Sequence, residues 1–590
     1  MKQFLVTMAG VFAGLVLFFV GVPFVIVAMV ASAAAPAGPP ARTVLNLDLR
    51  RSLPDQPPQS PLAALRGGSR SIMGVIQALH RAETDGRVRA LLIRLPEGGL
   101  PPAQADELRL AIKAFRNAGK PVIAHSQGIY PSGASVSTYM VGAAADQFWM
   151  QPGASLQSVG MASEEVFLKR AFDKYGVHAD FQQRYEYKNA VNPLLYDDYT
   201  PAHREATLSW MGSVYQSALA AAAADRRTTA QALRTRLEAG PYLAEDARAQ
   251  GLIDQVGQVS DAEQSVLRLA GPGARFLDLD DYRPNDRAVR QANAVAVIQA
   301  EGAIVTGSGQ GGGLNQGSNV YADEVAKAFY DAARDPRIKA VVFRVSSPGG
   351  SDTASEEILA GVRAARAAGK PVVVSMGTYA ASGGYWISSQ ASEIVSEPTT
   401  LTGSIGVYGG KFALGEALAR FGIDMRSLSV GGPFADSFGS AEPFTPAQRA
   451  AVSAWMDHIY DGFVERVASG RRLPVERVRV LARGRVWTGE QARSLGLVDR
   501  IGGFYDALAE AKRLAGLPAG EAVELKTLPA RRTALDLIQQ SLGVSAESAK
   551  TLAAAAWVLG DPRAQGLIEA AARERLGAQG QTVMAPTPLP

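Results

Sequence analysis

The sequence predicts a layered α/β protein made of two tandem copies of one domain behind an N-terminal membrane-spanning helix. Three observations carry that expectation: an uncharged apolar run near the N-terminus, a long internal repeat, and β-branched runs alternating with amphipathic stretches inside each copy. At 590 residues the chain exceeds what a single hydrophobic core organises, so two or more domains are required.

The first element is the run from Gln3 to Pro40, "QFLVTMAGVFAGLVLFFVGVPFVIVAMVASAAAPAGPP", which contains no charge. About 20 apolar residues span a bilayer, whereas the apolar region of a cleavable signal is only about 7–15 residues long. The run therefore reads as an anchor, although Ala31-Ser32-Ala33 has the small-residue form of a cleavage site. Lys2 and the amino terminus favour a cytoplasmic N-terminus, while Arg42, Arg50 and Arg51 pull the other way. With the N-terminus inside, everything after this single span lies outside the cytoplasm.

The repeat comes next. "DGRVRALLIRLPEGGLPPAQADELRLAIKAFRNAGKPVIAHSQGIYPSG" from Asp85 aligns without a gap on "DPRIKAVVFRVSSPGGSDTASEEILAGVRAARAAGKPVVVSMGTYAASG" from Asp335. Arg94 falls on Arg344, Gly99 on Gly349 and Ser132 on Ser382. Downstream, "YLAEDARAQGLIDQVG" from Tyr242 matches "VWTGEQARSLGLVDRIG" from Val486. A match of this extent is a duplicated domain, not a solenoid repeat of about 20–50 residues. The expected divisions are an anchor at 1–40, a first copy at 41–285, a second at 286–525, and a helical extension with a loose tail at 526–590. The polar, Pro- and Gly-bearing segment "GPGARFLDLDDYRPNDRAVRQ" from Gly271 marks the junction of the copies.

Each copy reads alike. A buried strand (Ala90–Leu95; Ala340–Val345) meets a Gly-Gly turn, then an amphipathic helix (Ala103–Ala118; Thr353–Ala368) ended by glycine. Another apolar strand follows Lys-Pro, then a turn with Ser-Gly and a further helix. Strands alternating with helices imply largely parallel pairing.

Composition narrows the chemistry. The chain has no cysteine, which excludes disulfides, a thiol nucleophile and Cys-based zinc sites, and its five histidines show no metal-ligand spacing. A net charge of +4 without a basic, aromatic-interleaved patch gives no sign of nucleic acid. The stretch "GSGQGGGLNQGS" from Gly307 lacks the Lys-Ser/Thr of a phosphate loop. No metal or organic cofactor is implied.

In "SMGTYAASGGYWISSQ" (Ser375 to Gln390), Ser382 lies between small residues where a strand hands over to a helix. It is either a nucleophile on a tight turn, with the Gly383 amide facing the site of a developing oxyanion, or the N-cap of a Gly-rich turn. "RVSSPGGS" (Arg344 to Ser351) can present a bare amide from Gly349 or Gly350 to the same oxyanion, or can be an ordinary strand-to-helix turn.

The spans "SSPGGSDTASEE", "GKPVVVSMGTYAASGGYWIS" and "TLTGSIGVYG" resemble the signal peptide peptidase A (protease IV) family of membrane-anchored Ser/Lys proteases with the crotonase/caseinolytic-protease (ClpP) fold. The likeness covers about residues 43 to 520, and the long form of that family is itself a tandem duplication. The resemblance implies that Ser382 is the nucleophile and Lys188, in "RYEYKNAVNP" of the first copy, the general base. It implies that Ser404, in "TLTGSIG", orients the lysine, and that Gly349 and Gly383 supply the oxyanion amides. It further implies an inner (cytoplasmic) membrane location, single-pass, with catalytic domains facing the periplasm. The implied substrates are signal peptide remnants and similar apolar peptides, and the implied assembly is a homotetramer.

A lysine serves as base only if its pKa falls from about 10.4 towards the working pH, which burial in a dry cleft achieves. Tyr185, Tyr187 and Val191 around Lys188 point to a half-buried strand. Lys411 is the rival base within the serine's own copy, and His125 reads as structural because its twin is Val374. Two departures stand out: Ser346 replaces the family's asparagine, and the first copy has Ala134 and "PEGG" where the second has a second glycine and "SPGG", so Ser132 reads as a relic turn. The competing functions are a crotonase-type acyl-CoA enzyme and a non-catalytic membrane scaffold. Whether serine and lysine meet within one chain or across subunits is left open by the sequence.

Overall fold

The computed structural model describes residues 40–56, 70–283, 293–309 and 319–529. The expected anchor at 1–40 lies outside the described residues apart from Pro40, as do most of the C-terminal extension and all of the glycine-rich stretch from Gly307 beyond its first three residues. Among the described residues no helix is long and apolar enough to cross a membrane.

The duplication is visible in the strand order. In the first copy the parallel strands run Gln255–Val256, Gln147–Met150, Val122–Ser126, Val88–Arg94, Thr43–Asp48, Arg275–Asp278 from edge to edge. The second copy repeats this as Arg500–Ile501, Glu393–Ser396, Val372–Ala381, Ile338–Ser347, Ala294–Glu301, Glu524–Leu528, again all parallel. The last of these strands crosses the boundary expected at 525. By pairing with Ala294–Glu301 it closes the second sheet, so residues to Leu528 belong to that sheet.

Helices cover both faces of each sheet, so the central strands carry apolar side chains on both faces. Every residue of Ile338–Ser347 except Lys339 is buried. Val341, Phe343 and Val345 face the helices Ala322–Arg334 and Asp352–Ala367, while Ala340 and Val342 face the helix Phe504–Leu514. In the first copy Leu91 and Ile93 meet the helix Pro102–Asn117, and Ala90 and Leu92 meet the helix Val259–Ala270. The repeated Gly-Lys-Pro has a local purpose. Lys120 donates to the carbonyls of Ala82 and Asp85, and Lys370 to those of Ala332 and Asp335, so each ammonium caps the end of a preceding helix.

Several contacts join the copies. His178–Arg184 of the first copy pairs antiparallel with Val407–Ala413 of the second, Arg184 opposite Val407 and His178 opposite Ala413. The helix Pro201–Asp225 packs on Val486–Thr488, with Ser213 Oγ 2.7 Å from Thr488 Oγ1 and Gln491 Nε2 donating to Ser209 Oγ at 3.1 Å. Finally Arg344, 1% exposed, reaches across to Asp55 and Glu107 of the first copy, both pairs at 2.6 Å. Removing one partner of such a buried pair costs about 3–5 kcal/mol, so the copies are locked in one relative position.

Candidate active site

The strand Val372–Ala381 ends at Ser382, and the helix Gly383–Ser388 begins directly after it. Ser382 has φ +54° and ψ −119°, a backbone state that costs a non-glycine residue about 1–3 kcal/mol. It is held there from three sides: its N–H donates to Gly403 O, and its carbonyl accepts from Tyr385 N and Trp386 N, each at 2.9 Å.

The Gly349 turn abuts this corner. A Cβ on Gly349 would lie 2.8 Å from both Gly383 N and Ser382 Cβ, and one on Gly383 would lie 2.8 Å from Ser355 Oγ. Only glycine permits the two backbones to approach so closely. Ile304 pins the turn, with Ile304 N donating to Gly349 O and Ser351 N to Ile304 O, both at 2.9 Å. The Gly349 N–H donates to Ser347 Oγ at 3.2 Å.

Lys188 arrives from the other copy. Its Nζ lies 3.1 Å from Ser382 Oγ, 2.9 Å from Ser404 Oγ and 2.8 Å from Ser404 O. The residue is 3% exposed, and burial lowers its pKa from the ordinary 10.5 to about 7. A neutral amine has two N–H donors and one lone pair. Donating to the carbonyl and hydroxyl of Ser404 leaves the lone pair to accept the Ser382 proton. Ser404, also at positive φ (+49°), presents both oxygens to the one amine. Lys188 and Ser382 meet within one chain, each supplied by a different copy.

The local backbone at Lys188 differs from the strand expected there. The strand stops at Arg184, and Lys188 sits in the turn before the short 3-10 helix Asn189–Val191. Tyr185 N and Tyr187 N both donate to Arg483 O of the second copy, which bends the chain out of extension.

The rival groups lie elsewhere. Lys411 donates to Gly439 O at 2.9 Å and sits over the Phe444 ring. His125, fully buried, bonds Gly257 O through Nε2 at 3.1 Å. Ser132 is exposed, the following helix starts only at Ser135, and Gly99 N–H is spent on the carbonyl of Ser132 at 2.7 Å. The first-copy corner is therefore closed on itself.

Sequence reasoning missed the partners of Arg344. The Arg94/Arg344 correspondence was readable in the repeat, but Asp55 and Glu107 lie in the other copy, and their part depends on how the copies dock.

A serine on a strained strand-to-helix corner, beside a buried amine and two glycine amides, describes the class of serine hydrolases that pass through an acyl-enzyme. The profile of Peptidase family S49 matches residues 114–271 and 364–518, one stretch in each copy. "Protease 4" of Salmonella typhi is 34% identical over 486 residues, covering 80% of this chain and 76% of that protein. "Protease 4" of Haemophilus influenzae is 31% identical over 477 residues, 77% of this chain and 74% of that protein. "Serine protease SPPA, chloroplastic" of Arabidopsis thaliana is 27% identical over 514 residues, 85% and 74% respectively. The chain belongs to Peptidase family S49, as a tandem-repeat member, and is a serine endopeptidase.

Proposed function

We propose that the protein cleaves peptides with a Ser382–Lys188 dyad assembled between two ClpP/crotonase-like copies. The observation that carries this reading is the 3.1 Å approach of Lys188 Nζ to Ser382 Oγ in a place where burial lowers the amine's pKa to about 7, so that a substantial neutral fraction exists at neutral pH. Lys188 takes the Ser382 proton as Oγ attacks the peptide carbonyl. The oxyanion forms towards the Gly349 and Gly383 amides. The new ammonium then protonates the leaving amine, and the C–N bond breaks to leave an ester on Ser382. A water gives a proton to Lys188 Nζ as its oxygen attacks the ester carbonyl, and the resulting ammonium returns a proton to Ser382 Oγ as the acid leaves. Ser404 keeps the amine aimed throughout.

The substrates proposed are signal peptide remnants and similar apolar peptides, met at the inner membrane by a single-pass protein whose catalytic copies face the periplasm. The apolar run before residue 40 supports that placement.

A homotetramer is the proposed assembly. Val407–Ala413 pairs with His178–Arg184 across the copies. By the repeat, their twins are 161–167 and 424–430, and neither segment forms a strand among the described residues. Val166 is 75% exposed, Leu428 101% and Val430 98%. Pairing of one chain's 161–167 with another's 424–430 would repeat the internal ribbon between subunits. Leu428→Glu with Val430→Glu is expected to dissociate the particle, as read by light scattering.

The test of the dyad is labelling with a fluorophosphonate, mapped by mass spectrometry. Label is expected on Ser382 and lost in Ser382→Ala and Lys188→Ala. Label on Ser132, or retained in Lys188→Ala, overturns the assignment.

A further inference from the structure

Lys188 and Ser404 belong to different copies, yet the amine has to stay within hydrogen-bond reach of both Ser404 and Ser382. The turn that carries Lys188 has little stiffness of its own. Its internal closure is one bond, Lys188 N to Tyr185 O at 3.0 Å. Beyond the Tyr185–Tyr460 ring contact, its backbone support comes from three consecutive residues of the second copy, just ahead of the strand Val486–Thr488.

Arg483 O accepts the N–H groups of Tyr185 and Tyr187, both at 3.2 Å. Gly484 (φ +85°) lies flat against the base. A Cβ there would be 2.5 Å from Lys188 N and Cβ and 2.6 Å from Lys188 Cα, all atoms that cannot swing aside. On its other side Gly484 N donates to Ile405 O at 2.8 Å, and Arg485 O accepts the Ser404 N–H at 2.7 Å. One short loop thus grips the backbone of the base on one edge and the backbone of the orienting serine on the other.

The side chains hold the loop in place. The Arg485 guanidinium sits 4.9 Å from the Tyr187 ring centre and 4.5 Å from that of Trp487. It also binds Glu205 of the first copy through both carboxylate oxygens, at 2.6 and 2.7 Å. The Arg485 side chain is only 15% exposed, although the Glu205 carboxylate it binds is 52% exposed, so the guanidinium is held mainly by the two rings and the fork faces solvent on its carboxylate side. Arg483 pairs with Glu186 at 2.8 Å, but both side chains are more than 40% exposed, and such a pair holds little.

We propose that the Arg483-Gly484-Arg485 loop is the gauge of this active site, with Gly484 and Arg485 as positioning residues that set the Lys188–Ser404 spacing and seal the amine from water. The inference rests on the Ser382–Lys188 reading above. The charged side chains on the elements packed here are Glu186 on the turn, Arg483 and Arg485 on the loop, and Glu205 on the helix Pro201–Asp225. They pair with one another, and burial is what lowers the pKa of the amine. Loosening the loop therefore acts on Lys188 in two ways: it misplaces Nζ, and it lets water reach it. Misplacement of about 1 Å is worth on the order of 100-fold in rate.

The experiment is the pH dependence of kcat and KM for peptide cleavage by full-length Gly484→Ala and Arg485→Gln, from pH 6 to 10. Both are expected to keep KM and to lose kcat at pH 7.5, by roughly 100-fold for Gly484→Ala and 10-fold for Arg485→Gln. The acid limb should move upward by about one pH unit as water solvates the amine, so that about threefold of the loss seen at pH 7.5 is regained at pH 9.5 and the remainder, due to misplacement, persists. An equal loss at every pH, with the limb unmoved, overturns the proposal, since a merely structural role gives that pattern. So does an unchanged profile. Arg485→Gln leaves the loop backbone intact and decides the matter if Gly484→Ala does not fold. Lys188→Ala run alongside separates the two claims. If it stays active, the dyad reading falls; if it is inactive while the loop variants keep the wild-type limb, the gauge alone falls.

Discussion

Replacing the base by an apolar side chain of similar length should make the protein more stable while abolishing its activity. Lys188 is buried at 3% exposure, and its pKa falls from 10.5 to about 7 because burial disfavours the ammonium. At about 1.36 kcal/mol per pH unit, that gap is worth on the order of 5 kcal/mol. Between pH 7 and 10.5 the unfolded chain holds a proton here that the folded chain has released, so stability rises with pH across this window. Below pH 7 the whole cost is present in the native protein; above 10.5 it has vanished. Lys188→Met removes it. Urea denaturation should find the variant more stable by on the order of 5 kcal/mol at pH 6, by about 3 at pH 8, and indistinguishable near pH 10.5. A difference that stays flat from pH 6 to 10 would refute the claim that Lys188 is a desolvated amine in the resting protein.

The inter-copy seam gives two further expectations. Asp106, buried beside Thr399 with Thr399 Oγ1 at 2.6 Å, has its pKa pushed from 3.8 up to about 7, chiefly by burial. The folded state favours its protonated form, so its contribution is full below about pH 4 and is lost as pH rises through 7; Asp106→Asn should stabilise by on the order of 4 kcal/mol at pH 8.5 and by nothing measurable at pH 4, read by urea midpoints. Arg344→Met strands Asp55 and Glu107 as unpaired buried carboxylates and should cost about 3–5 kcal/mol at pH 8. That loss should shrink at lower pH, because burial raises the pKa of Glu107 and protonation relieves its stranded charge, and limited proteolysis should find the two copies separating more readily.

What the sequence revealed, and what it hid, follows from the range of the interactions. Runs such as Val341–Val345 and the twin Gly-Lys-Pro motifs are local signals, and the strands, helices and largely parallel pairing they imply are those of the structure. The corner at Ser382 was legible for the same reason: small residues and glycines mark a close backbone approach. Lys188 was not legible as chemistry from its own neighbourhood. Its tyrosines suggested a strand, but Arg483 O, almost three hundred residues away, bends that segment into a turn. The ribbon between 178–184 and 407–413, the Arg344 ion pairs and the Gly484 contact are likewise products of docking between copies. The repeat told which segments are equivalent, and equivalence does not say which twin faces which.

The central claim is that a neutral, buried Lys188 activates Ser382 across the two copies. Its most direct test is the second-order rate of fluorophosphonate inactivation as a function of pH, because that rate reports the nucleophile and its base without substrate binding or product release. A single ionisation with its midpoint near pH 7, reaching a plateau above pH 8.5 and absent in Lys188→Ala, is the predicted result. A rate that keeps climbing past pH 9.5, as an ordinary solvated lysine or hydroxide would give, contradicts the account.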